Sequence, residues 1–107
     1  MNNKAEKKHK FLVQNIFKGL VNEPDDFTPT ILYFNEHDFT IVLQRVKEYG
    51  IGVYGIEVTL NGEYNGVKVV EDYNTTPEDF RWYTAAFNKL RAKNPDFRYS
   101  ASYQVQL

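Results

Sequence analysis

Gly50-Ile51-Gly52-Val53-Tyr54-Gly55 carries the lettering of a dinucleotide-binding fingerprint. In that motif, glycines let the backbone approach a pyrophosphate held at a helix N-terminus. The order of elements excludes this use here. An apolar stripe ending at Tyr49 predicts a helix before the glycines, and alternation after them predicts a strand. No helix N-terminus faces the loop, so the glycines read as a helix end and the approach to a strand. Glu71-Asp72 with Glu78-Asp79 could form a carboxylate pair for proton transfer or Mg²⁺. Glu78 and Asp79 are accounted for more simply as first-turn residues that complement a helix dipole. His9 and His37 lie far apart, and Glu36-His37-Asp38 is contiguous. Its three side chains diverge, whereas helical metal ligands recur at i, i+3 or i+4. With no cysteine in the chain, no thiolate site or disulfide framework is available. The residues thus imply no enzyme, no metal and no cofactor.

The elements that would position any site follow from periodicity. Residues 1–8 are polar and expected to be frayed. Phe11, Leu12, Val13, Ile16, Phe17, Leu20 and Val21 make an amphipathic helical stripe. Residues 22–29 (NEPDDFTP) read as a loop because prolines and acids interrupt regular structure. Residues 30–34 (TILYF) read as a short buried strand. Asn35 and Asp38 form a capping-box-like start for a helix with Phe39, Val42, Leu43, Val46 and Tyr49 inward, closed by Gly50.

Tyr54, Ile56, Val58 and Leu60 then alternate as the apolar face of a strand. Two Asn-Gly dipeptides signal a hairpin. A two-residue turn would pair Leu60 with Glu63. A longer NGEYNG loop would pair Leu60 with Val67 and Val58 with Val69, and it is preferred for its apolar matching. Thr76-Pro77-Glu78-Asp79 reads as the start of a third helix, with Thr76 as N-cap, Phe80, Tyr83, Ala86, Phe87 and Leu90 inward, and Trp82 partly exposed. Phe97, Tyr99, Ala101, Tyr103, Val105 and Leu107 form one face of a final strand able to sit centrally in a sheet. The order, a helix followed by β-α-β-β-α-β, predicts one α+β domain over residues 1–107. Its sheet would be ferredoxin-like and antiparallel, with helices on one face and a polar open face.

Forty-two per cent apolar and 16% aromatic residues give enough for a packed core. No apolar run is long enough to cross a bilayer. The basic N-terminus lacks the apolar core of a signal peptide, so a cytoplasmic, non-membrane setting is expected. Net charge is −1, but unevenly spread. Residues 1–20 hold five lysines against Glu6, net +4; residues 57–79 hold six acids against Lys68, net −5. The acidic hairpin repels phosphates and argues against nucleic-acid binding, as does the placement of strand aromatics on the covered face. A partner-binding surface is the reading that remains, drawn from Glu57, Glu63, Tyr64, Lys68, Glu71, Asp72, Tyr73, Glu78, Asp79 and Trp82.

The segment VLQRVKEYGIGVYGIEV, with its acidic return strand and second aromatic helix, resembles small immunity proteins of bacterial toxin–immunity pairs. The contact-dependent growth inhibition type is nearest in character, over roughly residues 35–99. That resemblance implies a cytoplasmic protein that binds and neutralises a cognate, basic toxin domain such as a nuclease. The alternative is a small RNA-binding or ligand-binding α+β domain.

Overall fold

A computed structural model describes residues 3–21, 23–24 and 32–106. Helix α1 spans Asn3–Phe11 and runs into a π-helical turn, Leu12–Ile16. The wider turn carries Phe17 N–H back to the Leu12 carbonyl at 2.8 Å. It buries Leu12, Ile16 and Phe17 while leaving Val13 exposed. Residues 3–8, expected to fray, are helical; Met1 and Asn2 lie outside the described residues. The predicted loop contributes a two-residue strand, β1 (Glu23–Pro24), paired with β2 (Leu32–Tyr33). The rest of that loop, together with Thr30 and Ile31 of the predicted first strand, lies outside the described residues.

Helix α2 (Glu36–Tyr49) forms as its signals require. The Asn35 side chain accepts the Asp38 N–H at 2.8 Å, and Gly50 closes the helix at φ 68°. Strand β3 (Gly52–Leu60), strand β4 (Glu63–Val69), a 3₁₀ turn (Val70–Tyr73), α3 (Phe80–Lys93) and β5 (Arg98–Gln104) follow. Helix α3 begins later than its Thr-Pro signal suggests. Asp79, not Thr76, is the N-cap, and its carboxylate accepts the Arg81 N–H at 3.0 Å. The preceding segment is diverted because the Pro77 carbonyl accepts the Val53 N–H at 2.9 Å.

The sheet is antiparallel in the order β4-β3-β5. Beyond β5, Phe34 makes a single bridge to Tyr99, with bonds of 2.7 and 2.8 Å. A split β-α-β character survives, since β5 lies between Phe34 and β3. The ferredoxin-like order is not the one observed among the described residues. The hairpin's outgoing strand holds the interior, and its return strand β4 forms an edge. Strand β2 is too short to supply a ladder, whereas β5 pairs with β3 from Gly52↔Gln104 to Thr59↔Arg98.

Helices α2 and α3 pack on one face. Tyr99 lies at the centre, stacked on Phe39 of α2 (centroids 5.2 Å apart) and met edge-on by Phe87 of α3 (5.0 Å). Such pairs add to their area burial. The π turn docks beside α2. Phe17 meets Phe34 and Tyr103, and Arg45 donates to the carbonyls of Ile16 (3.0 Å) and Lys18 (2.7 Å). Trp82 Nε1, Tyr83 OH and Tyr99 OH are buried in this core without hydrogen-bond partners.

Candidate functional site

The hairpin closes by the shorter of its two possible turns. Leu60 pairs with Glu63 across Asn61 (φ 54°) and Gly62 (φ 82°). Two successive positive φ values define a type I′ turn, whose twist matches the flanking strands. The preferred NGEYNG loop does not form. The second Asn-Gly instead makes a β-bulge, so that Val58 faces Gly66 while Thr59 faces Tyr64. One inserted residue reverses which side of the sheet each later side chain takes. Val67 and Val69, expected beneath the helices, stand opposite Glu57 and Gly55 on the other face. A second irregularity, against β5 between Val53 and Gly55, leaves Val53 fully buried and Tyr54 43% exposed. The expected inward placement of Tyr54 is thereby corrected. Gly52 is required where the strand starts: a Cβ there would lie 2.7 Å from Pro77 Cβ and 2.6 Å from Gln104 Oε1.

The open face consequently has three cross-strand rows: Tyr64–Thr59–Arg98, Val67–Glu57–Ser100 and Val69–Gly55–Ser102. It is partly apolar, not the polar surface that alternation alone predicts. Tyr64 is 62% and Val67 47% exposed. A groove of about 480 Å³ runs over the lower two rows, bounded by Tyr54 and Glu71. Its lining includes two carboxylates, Glu57 and Glu71, and no Lys or Arg. Tyr33 sits on the strand position beyond Ser100, and its hydroxyl donates to Glu57 Oε2 at 2.7 Å. To do so the side chain reaches across β5, where Ser100 is 8% exposed. A second groove, about 290 Å³, lies between Phe11, Tyr49 and Glu78; a third, about 190 Å³, lies between Lys8 and His9 of α1 and β5. Among the described residues, no three His, Cys, Asp or Glu side chains gather in a way that could hold a metal ion.

The ten residues chosen from sequence are dispersed. Glu57, Tyr64 and Glu71 belong to the open face or its groove; Glu63 is exposed at the hairpin tip, and Asp72 in the 3₁₀ turn. Lys68 pairs with Ile56 and so faces the helix side, half-buried. Trp82 is a correction: at 2% exposure it is core, with its ring 5.3 Å from that of Tyr73. The bulky neighbours Tyr73 and Tyr83 enclose it, so neither Trp82 nor the half-buried Tyr73 is a free anchor. Glu78 lies beside Phe11 and Tyr49. Asp79 is held by the Arg81 guanidinium at 2.9 Å and by the Thr75 hydroxyl at 2.7 Å, contacts that keep its carboxyl well below the usual range.

Tyr33, Tyr54, Val67, Val69 and Ser100 were not singled out from sequence. The second Asn-Gly, read as a bulge rather than a loop end, was the signal that could have found the two valines. Outward tyrosines also remove one argument against RNA binding, since bases stack on such rings. The groove's carboxylates keep the other argument, repulsion of phosphate. No protein family, curated protein or solved structure matches this chain.

Proposed function

We propose that this protein binds a protein partner through the open face of its sheet, and that it does so as an immunity protein neutralising a basic toxin domain. The observation carrying this reading is the pairing, in one uncovered groove, of exposed apolar side chains with carboxylates and no cation. Aromatic and aliphatic anchors with a complementary field are what protein interfaces use for affinity and steering. Among the described residues no helix is long and apolar enough to cross a membrane.

The test is co-expression with the toxin domain encoded beside this gene, followed by calorimetric titration. Val67→Asp and Tyr64→Ala should weaken binding, by about 2 kcal/mol for a central anchor. Val13→Asp, exposed on the π-helical turn that follows α1, should leave it unchanged. Full affinity in both open-face variants, or no toxin domain beside the gene, overturns the proposal.

A further inference from the structure

We infer that the groove is a seat for an arginine side chain carried on an extended segment of that partner, with Glu57 receiving the guanidinium and Tyr33 positioning Glu57. The inference rests on the open face being the docking surface and adds the chemistry that the groove selects.

Four features support it. The groove's charge is entirely negative, from Glu57 and Glu71, so an uncompensated cation is the complementary occupant. Its walls are the methyl groups of Val67 and Val69 and the exposed ring of Tyr54. An arginine stem covers such walls, and its planar, weakly hydrated head stacks on a tyrosine face. Tyr33 engages one oxygen of Glu57 at 2.7 Å. A carboxylate has about four acceptor sites, so this bond fixes the group while leaving room for a two-pronged donor. Ser100 lines the same groove, is 92% buried, and has no hydrogen bond from its hydroxyl to another described group. That oxygen can accept a remaining guanidinium N–H. A lysine offers a single strongly hydrated charge and uses less of this arrangement.

The probe is an acetylated, amidated pentapeptide with arginine at its centre between threonines and valines, compared with lysine and citrulline versions. Each is titrated into the full chain at low salt while backbone amide resonances are followed. The arginine peptide should shift the amides of Gly55, Glu57 and Ser100 saturably, the lysine peptide about tenfold more weakly, and the citrulline peptide not at all. Glu57→Gln should remove the shifts with circular dichroism unchanged. Tyr33→Phe should shrink the preference for arginine over lysine, which a purely structural loss would not do. Equal binding of citrulline, shifts confined to other amides, or no saturation by about 10 mM peptide overturns the inference. Failure of the seat is distinguishable from failure of the docking surface. If Val67→Asp abolishes toxin binding while Glu57→Gln leaves it intact, the seat falls alone; if neither matters, both fall.

Discussion

The Tyr33 hydroxyl and the Glu57 carboxylate, 24 residues apart, meet at 2.7 Å across the width of β5. The bond ties the short β2 to the central strand at a point where the backbone provides one bridge, Phe34 to Tyr99. Tyr33→Phe keeps the ring and deletes the donor. It should lower stability in urea unfolding by about 1.5–3 kcal/mol, the range for a hydrogen bond to a charged group. Unchanged stability would mean that the bond is replaced by water at no cost.

Gly52 and Pro77 define a second close approach. An added methyl group at Gly52 meets both Pro77 Cβ and the Gln104 side chain well inside contact distance. The glutamine can rotate away; the proline ring cannot, since its carbonyl is bonded to Val53. Gly52→Ala should therefore destabilise the fold by about 1–3 kcal/mol, the usual cost of overpacking. A thermal melt of this variant matching the wild type would show that the segment before α3 shifts freely.

Asp79 makes stability depend on acid. Hydrogen bonds from the Arg81 side chain, the Thr75 hydroxyl and the Arg81 N–H, in that order, depress its folded-state pKa below the ordinary 3.8. The unfolded chain then takes up this proton more readily than the folded one. The resulting stabilisation is fully present above the ordinary value and is lost as pH falls below it toward the depressed one. Asp79→Asn retains an acceptor for the cap but loses the charge. Its melting temperature should lie below the wild type at pH 7, and the gap should narrow as the pH falls below 3.8. A gap that is constant with pH would contradict this account.

Much of the scaffold was legible because its signals are local. The Asn35 cap and the Gly50 terminus need only neighbouring residues to act, and both form as expected. The alternation of β5 likewise identified Tyr99 and Tyr103 as core. The open face was not legible, because its composition depends on register. Two bulges, each displacing the pattern by one residue, turned Tyr54, Val67 and Val69 outward. Period-two reasoning cannot anticipate such a slip without knowing which turn wins. The α3 start was misread for a related reason. Thr76-Pro77 is a sound local signal, but a tertiary bond from Val53 to Pro77 takes that segment into the sheet's edge. Trp82 was misplaced because a helical stripe drawn through Phe80 omits it, while Phe80 itself is 43% exposed beneath Lys47, whose Nζ lies 3.9 Å from the ring centroid.

The sheet order also governs the sequence of assembly. Strands β3 and β4 join through a two-residue turn, a closure on the microsecond scale. The other edge of β3 must wait for β5, whose partners lie between 39 residues away (Thr59 to Arg98) and 52 (Gly52 to Gln104). Such distant pairings make folding slow relative to helical bundles of the same size. Until β5 arrives, the helix-side face of β3 with Ile56 and Val58 has no completed core above it, and its unpaired edge can recruit a strand from another chain. A nascent or heated molecule is therefore most exposed to misassembly along this one strand.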